Sequence, residues 1–248
     1  MKLRNIKFIM LSLMAAMTLV SCEKDNYEEP KAGIAGHIYD QDGNPLQVSV
    51  GQGSMSIRII ETSFSHGDES IVVTPQYLNM KQDGTYRNDK LFAGTYAVVP
   101  WQGAFYENDE VDEIGRTVDL RDGTVTEVNF TVTPYLRLEW VKKPYVDPAD
   151  GKMKASFRFF RNAKEGYAMP ELGDCCMWIS RTQFCGTEGD GNYTPGLTKI
   201  TPEMEGTEIM LESKIAVKYD MKYWVRIGAR CKDTYQKYNF TDIAEIEY

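Results

Sequence analysis

Apolar and polar residues alternate one by one over most of the chain from residue 32 onward. Met55, Ile57 and Ile59 alternate with Ser56 and Arg58, for example. A period of two is typical of a half-buried β-strand, because successive side chains of a strand point to opposite faces of the sheet. The same pattern predicts strands around Ile34, Ile38, Tyr86, Tyr96, Val98, Val118, Leu120, Val128, Phe130 and Val132. With little helical periodicity anywhere, the sequence predicts an all-β fold.

Short turn sequences separate the predicted strands. Asp42-Gly43-Asn44-Pro45, Gln82-Asp83-Gly84 and Asp122-Gly123 combine residues that favour positive φ or a fixed φ. Strands of this length joined by such turns indicate an antiparallel β-sandwich. We assign this first predicted domain to residues 32–134.

A second set of alternating strands follows Pro134. Apolar residues occupy every second position near Leu136, in Met153–Phe159, in Tyr223–Ala229 and in Ala244–Tyr248. This pattern predicts a second antiparallel sandwich over residues 135–248. The loops between Phe160 and Cys175 and between Arg181 and Thr207 are long, and long loops often carry binding sites.

The first 21 residues have the layout of a secretory signal peptide. Basic Lys2, Arg4 and Lys7 precede an apolar run from Phe8 to Val20. This run is shorter than the roughly 20 residues that cross a bilayer. Leu19 to Cys22 resembles the bacterial lipobox, which implies removal of the leader and a lipid on Cys22. The alternative is an ordinary secretory peptide with an accidental cysteine.

The segment after Cys22 is strongly polar. Residues 22–31 are predicted to be a solvated tether between the lipid and the first domain. Glu23, Lys24 and Asp25 resemble the export tag of Bacteroidetes lipoproteins, which implies an outer-membrane location facing the cell exterior. A plain hydrophilic spacer is the alternative.

Composition and motifs exclude or disfavour several functions. The formal net charge is −8, and removal of the leader makes it more negative, so the basic surface needed for nucleic-acid binding is absent. His37 and His66 have no metal-ligand spacing, and Asp40–Asn44 lacks the pattern of a calcium loop. No catalytic signature occurs. We therefore predict no catalytic residue, metal or cofactor, although carboxylates that meet only in space escape such a search.

Several segments resemble known families. GIAGHIYDQDGNPL and DGTYRNDKLFAGTYAVVP resemble the transthyretin-like, or carboxypeptidase regulatory-like, domain. KYDMKYWVRIGAR resembles the sixth strand of a fibronectin type III domain, with Tyr223 at the tyrosine corner and Phe157 or Phe159 replacing the usual tryptophan. The longer order of SIRIIETSF, PQYLNMKQDGTYRNDKLFAGTYAVVPWQGAFYE and VNFTVTPYLRLE is similar to a two-domain surface lipoprotein family of Bacteroidetes encoded beside SusC/SusD-type glycan importers. That resemblance implies no active site.

The fibronectin resemblance has a consequence for the cysteines. In that fold the third and sixth strands are antiparallel neighbours, which implies that Cys231 approaches Cys175 or Cys176 closely enough for a disulfide. Adjacent residues of a strand face opposite ways, so only one of the two can pair. Cys185 has no expected mate. Free buried thiols are the alternative.

Aromatic residues are the candidate ligand-binding groups. The segment PWQGAFYE concentrates Trp101, Phe105 and Tyr106 near a glycine-containing loop, where exposed rings could pack on the C–H faces of a polysaccharide. The alternative is that the rings close the end of the first sandwich. Tyr145, Trp178, Tyr193 and Trp224 are weaker candidates, since packing explains each of them.

These observations favour a non-enzymatic outer-membrane lipoprotein, accessory to surface glycan capture or import. Its expected partners are the membrane, through the lipid on Cys22, a polysaccharide, and a SusC/SusD-type importer. The alternative is a structural, assembly or adhesion lipoprotein without a small-molecule ligand. An enzyme on a β-sandwich is a third class that no motif supports.

Overall fold

The structure is a computed structural model, and it describes residues 28–51, 53–68, 70–109 and 114–248. The predicted leader, the predicted lipid-attachment residue Cys22 and the tether up to residue 27 lie outside the described residues. We call residues 31–134 the N-terminal half and residues 135–248 the C-terminal half. Residues 31–248 form one compact unit.

Eight strands form the N-terminal half. They are β1 (Ala32–Tyr39), β2 (Ser56–Glu61), β3 (Gln76–Asn79), β4 (Thr85–Leu91), β5 (Gly94–Trp101), β6 (Arg116–Leu120), β7 (Val125–Glu127) and β8 (Phe130–Thr131). One sheet has the order β4-β1-β7, with β8 also paired to β1, and the other has the order β3-β2-β5-β6. A short 3-10 turn, Tyr106–Asp109, lies between β5 and β6.

The C-terminal half contains the other eight described strands. They are β9 (Leu136–Val146), β10 (Lys152–Arg161), β11 (Leu172–Ser180), β12 (Thr198–Lys199), β13 (Ile209–Ala216), β14 (Lys222–Cys231), β15 (Tyr238–Phe240) and β16 (Ala244–Glu247). One sheet has the order β13-β10-β9, and the other has the order β12-β11-β14-β15, with β16 also on β14. A second 3-10 turn spans Pro202–Met204.

The predicted all-β class is confirmed, with one difference in strand direction. Most neighbouring strands are antiparallel, but β1 pairs in parallel with both β7 and β8. The turn after β6 explains this arrangement: Gly123 donates its backbone N–H to the carbonyl of Lys31, so the chain enters β7 beside the start of β1. The two strands then run in the same direction.

Each half has its own hydrophobic core. Ile34, Ile57 and Val98 belong to the core of the N-terminal half, and Phe157 and Phe159 belong to that of the C-terminal half. The predicted alternation thus identifies the inward face correctly in both. The division into two domains at Pro134 stays a prediction.

Two tyrosines make the hydrogen bond expected of a tyrosine corner. The hydroxyl of Tyr223 donates to the carbonyl of Tyr219, with 3.1 Å between the oxygens. In the N-terminal half, Tyr96 makes the same four-residue contact to the carbonyl of Phe92, also at 3.1 Å. The feature expected at Tyr223 is therefore present, and it occurs a second time at Tyr96.

The predicted disulfide is wrong. Strands β11 and β14 are antiparallel neighbours as expected, but their register places Cys231 opposite Leu172, while Cys175 and Cys176 lie opposite Ala229 and Gly228. Three residues along a strand correspond to about 10 Å, which exceeds the reach of a disulfide. All four cysteines of the described chain, including Cys185, are buried free thiols.

Burial also makes these thiols unreactive. It raises the pKa of Cys175 and Cys231 to about 12 and that of Cys176 and Cys185 to about 11. Since the thiolate is the reactive form, none of the four is a good nucleophile at neutral pH.

A buried arginine helps to join the two halves. Arg226 of β14 is fully buried and donates to the carbonyl of Val48 at 2.8 Å, to that of Cys185 at 3.2 Å and to that of Thr241 at 3.1 Å. Its guanidinium also stacks over the ring of Phe240, 4.1 Å from the ring centroid. Burial lowers its pKa to about 10, so the side chain remains a cation at neutral pH.

Among the described residues, no helix is long and apolar enough to cross a membrane.

Candidate functional site

The three aromatic residues predicted to bind a ligand do not form one exposed surface. Trp101 is half-buried at the end of β5, whereas Phe105 is 0 % exposed and Tyr106 is 7 % exposed. A buried ring cannot serve as a platform for a sugar. The expectation that Phe105 and Tyr106 are exposed is therefore wrong, and of the three only Trp101 remains a candidate.

Phe105 and Tyr106 instead connect the two cores. Phe105 packs in the core of the N-terminal half and Tyr106 in that of the C-terminal half. The ring of Tyr106 meets Tyr135 edge-on, with 4.9 Å between centroids, and its hydroxyl donates to the carbonyl of Asn162 at 2.7 Å. Burial raises the pKa of Tyr106. Phe105 forms an isolated bridge with Pro134 and Tyr106 begins the 3-10 turn, and the two rings enter different cores.

Polar side chains hold this connecting segment in place. Asn108 is buried, receives the N–H of Gly103 at 2.9 Å, and donates to the carbonyls of Gly103 and Phe105, both at 2.7 Å. Glu107 is also buried; it accepts the N–H of Thr133 and forms an ion pair with Lys164 at 2.6 Å. These hydrogen bonds and this ion pair hold the segment in a fixed conformation between the two cores.

Trp101 lies on the outward face of the β3-β2-β5-β6 sheet. Ile57 and Ile59 of β2 point into the core, so Ser56, Arg58 and Ile60 point outward. The register pairs Arg58 with Tyr77 of β3 on one side and with Val99 of β5 on the other, and it pairs Ser56 with Trp101. Tyr77, Arg58 and Trp101 therefore share this face.

These three side chains form a contiguous cluster, which we call the outer-face site. The rings of Tyr77 and Trp101 are 6.4 Å apart between centroids and are tilted by 45°. The guanidinium of Arg58 lies 4.0 Å from the centroid of the Trp101 ring, within the range of a cation–π contact. Tyr77 is 52 % exposed, so a ligand can reach the cluster from solvent.

A shallow groove extends along the sheet from Arg58. It has a volume of about 150 Å³ and is lined by side chains or backbone of Arg58, Ile60, Ala97, Val98, Val99, Gly115, Arg116 and Thr117. Its floor is mostly apolar. Aromatic rings, an apolar floor and a few polar groups are the elements of a small-molecule site.

The charge of Arg58 is uncompensated in the described part of the chain. Arg58 forms no ion pair there, and its Nε is buried without a hydrogen-bond partner. Because Nε is buried, a hydrogen bond from Arg58 to a hydroxyl or carboxylate oxygen of a ligand would come from its two Nη groups.

A second cavity lies between the two halves and is less suited to a ligand. It has a volume of about 260 Å³ and includes Arg230, Lys237 and Tyr238 in its lining. These groups already have protein partners: Arg230 pairs with Asp174 at 2.8 Å, Tyr238 donates to Asp174 at 2.6 Å, and Lys237 donates to the carbonyl of Gly53. We therefore interpret this cavity as part of the contact between the two halves.

No group of three or more His, Cys, Asp or Glu side chains among the described residues is placed to hold a metal ion. His37 lies in β1 beside Tyr39, with 5.6 Å between ring centroids.

Sequence reasoning missed Tyr77 and Arg58. Arg58 was assigned correctly to the polar face of its strand, but nothing in the sequence showed that Tyr77 would be its neighbour. The pairing of β2 with β3 across the loop 62–75 decides that, and the sequence offers as a signal a tyrosine within the segment PQYLN.

The fold and the outer-face site together define an all-β protein with packed sheets and an exposed aromatic cluster. Residues 32–133 match the family model described as "Protein of unknown function (DUF3823) N-terminal domain". No curated protein matches the chain.

Three solved structures have a similar fold. A DUF3823 family protein from Bacteroides uniformis has a TM-score of 0.73 at 21% identity, covering 88% of this chain and 99% of that one. A DUF3823 family protein from Parabacteroides merdae has a TM-score of 0.67 at 20% identity, with 89% and 100% covered. A "putative carbohydrate binding protein" from Bacteroides uniformis has a TM-score of 0.65 at 21% identity, with 88% and 100% covered. At these identities the similarity shows the fold alone.

Proposed function

We propose that this chain is a non-enzymatic, lipid-anchored protein of the outer membrane that binds carbohydrate at the outer-face site, as an accessory to glycan capture or import. The observation that carries the proposal is the placement of Tyr77, Arg58 and Trp101 together on one accessible sheet face. The location and the import role rest on the leader, on Cys22 and on the family resemblance of the sequence.

The chemistry of the outer-face site suits a sugar. The C–H face of a pyranose ring is apolar and packs on an aromatic ring, while its hydroxyls need hydrogen-bond donors and acceptors close by. Tyr77 and Trp101 provide the rings, and Arg58 provides donors between them. One structure of similar fold is described as a "putative carbohydrate binding protein", which supports the same ligand class.

Binding without hydrolysis is the simpler function for this surface. Glycoside hydrolysis generally requires two carboxyl groups on either side of the scissile bond. The described residues that line the groove include no carboxylate. We propose retention of the glycan rather than its cleavage.

The ligand class can be tested by affinity electrophoresis of the processed chain through gels containing individual polysaccharides. We expect at least one polysaccharide to retard the protein and Tyr77→Ala to restore much of the mobility. Tyr219→Ala is a matched control, because Tyr219 is 53 % exposed and Tyr77 is 52 % exposed. Equal mobility of both variants and the parent in every retarding gel would contradict the proposal.

The anchor needs a separate test. Cys22→Ala should abolish metabolic labelling with a fatty acid and release the protein from the membrane fraction. Protease added to intact cells should digest the anchored protein if it faces the exterior. Labelling that persists in the variant would refute lipid attachment at Cys22, and co-purification with an importer would test the proposed partner.

A further inference from the structure

The predicted tether joins the N-terminal half at one end, together with several loops and turns. Ala32 begins β1 and pairs with Leu91, the last residue of β4. Glu61, at the end of β2, pairs with Tyr96 near the start of β5. The loop 62–75, the turn 92–93 and the turn 121–124 therefore all lie at the end of this half where residue 31 enters, which we call the tether end.

The tether end carries most of the exposed large apolar side chains of the N-terminal half. Six large apolar side chains are exposed among the described residues of the N-terminal half, and five of them, all except Tyr77, lie here: Phe64, Ile71, Val72, Phe92 and Val125. Val72 is 87 % exposed and Phe64 is 60 % exposed. Exposed apolar groups gathered on one surface mark a contact with a membrane or a partner.

The connections at this end are ordered by the backbone. The N–H of Thr62 donates to the carbonyl of Thr95 at 2.8 Å, and the N–H of Thr95 donates to the hydroxyl of Ser63 at 3.0 Å. The loop that carries Phe64 is thus fixed beside the start of β5, two residues after Phe92. On the other sheet, Val125 pairs with Gly33, next to the point where the tether enters.

From these positions we propose that the tether end rests on the lipid bilayer, with Phe64, Ile71, Val72 and Phe92 inserted among the lipid head groups and upper acyl chains. The inference rests on the anchor at Cys22 in the proposed function. Nine residues separate that cysteine from the start of β1, and they span at most about 30 Å. A lipid on Cys22 therefore keeps this apolar end close to the membrane surface.

The charges of the tether end indicate an apolar contact rather than an electrostatic one. Among the described residues of this end, Lys31, Lys90 and Arg121 bring positive charge, and Glu61, Asp68, Asp89 and Asp122 bring negative charge. A surface with both signs gains little from anionic lipids. Insertion is therefore expected in vesicles of neutral phosphatidylcholine and should persist at high salt.

The orientation that follows also suits the proposed binding function. Trp101 is the last residue of β5, at the opposite end of the strand from Gly94, and the contacts to the C-terminal half begin just beyond it. With the tether end on the bilayer, the C-terminal half lies away from the membrane.

The test couples the processed chain through Cys22 to a maleimide lipid in phosphatidylcholine vesicles. The other four thiols are buried, so Cys22 is the reactive one, and the anchor is present whether or not cells lipidate it. Phe64→Trp is then compared with the parent in vesicles with and without brominated acyl chains, which quench only a nearby indole. We expect a loss of emission in Phe64→Trp beyond that of the parent, both at low salt and in 1 M NaCl.

Phe184→Trp is the matched control, because Phe184 is 61 % exposed but belongs to the C-terminal half. It should show no added quenching. Val72→Trp provides a second reporter if Phe64→Trp folds poorly. Quenching of neither reporter, or equal quenching of the control, would overturn the inference even if the anchor and the glycan site are real.

A second copy of the chain bound at the tether end would give a different result in sedimentation. If a second copy of the chain covers the tether end, an uncoupled Cys22→Ser chain should dimerise in sedimentation, and Phe64→Ser should abolish the dimer. That outcome would overturn the membrane contact. In the proposed case the uncoupled chain binds vesicles weakly, and Phe64→Ser lowers that binding by about tenfold.

Discussion

Trp101 and the pair Phe105 and Tyr106 lie within six residues of one another, yet they have opposite roles. Trp101 is part of a strand and follows its alternation, which directs the ring to the outward face. Phe105 and Tyr106 follow a break at Gln102, where φ is 58°, and the chain then enters the contact between the two cores. The position of an aromatic residue relative to a strand end, rather than local aromatic content, decides whether its ring is exposed.

Gly103 makes the sharp change of direction possible. A Cβ at this position would lie 2.3 Å from the ring of Phe105 and 2.7 Å from the sulfur of Met55. The close approach of backbone to ring therefore requires glycine. A glycine is typical of an accessible loop, but here Gly103 allows the segment to pack tightly.

The largest effect expected from this comparison is on Phe105. Phe105→Ala should lower the free energy of unfolding by about 3 to 5 kcal/mol, because it empties a fully buried site in the core of the N-terminal half. Urea denaturation measures this. Phe184→Ala removes the same ring from an exposed position and should change stability by about 0.5 kcal/mol or less. Similar values for the two variants would show that Phe105 is not a core residue.

A smaller loss is expected at Asn108. Asn108→Ala removes three buried hydrogen bonds that fix the connecting segment, and the backbone groups of Gly103 and Phe105 lose their partner. We expect a loss of about 2 kcal/mol in the same denaturation experiment. Asn192→Ala, at an exposed position, serves as the control and should leave stability nearly unchanged. No difference between the two variants would count against the role given to Asn108.

Much of the fold could be predicted from the sequence because alternation reports which side of a strand is buried. The inward residues of β2, β10 and β14 follow the predicted pattern. Alternation does not report register or strand direction. The position of Cys231 depends on the register between β11 and β14, and the parallel pairing of β1 with β7 depends on strand direction.

The candidate site was only partly predictable for the same reason. Trp101 could be singled out as an aromatic residue at a strand end. Its neighbours Arg58 and Tyr77 come from strands that the chain reaches 43 and 24 residues earlier, and only the pairing of β2 with β3 and β5 brings them together. Long-range pairing of this kind leaves no local signal in one sequence.

Of Phe105, Asn108 and Trp101, the smallest expected effect on stability is at Trp101, where we expect the largest effect on function. Trp101→Ala changes a half-buried ring on an outward sheet face, where substitutions span about 1 kcal/mol in stability. Trp224→Ala is the control, since Trp224 is also half-buried in a strand but belongs to the C-terminal half. Its indole donates to Glu245 at 3.1 Å, so a small loss of stability is expected there too.

The most direct test of the outer-face site measures glycan affinity and unfolding free energy on the same two variants. The ligand is the polysaccharide that best retards the parent protein in affinity electrophoresis. We predict that Trp101→Ala weakens binding by about 1 to 3 kcal/mol, the range for loss of a central aromatic contact, while Trp224→Ala binds like the parent. Undiminished binding by a folded Trp101→Ala protein would contradict the account, as would a loss of stability of about 3 to 5 kcal/mol that explains the lost binding by unfolding.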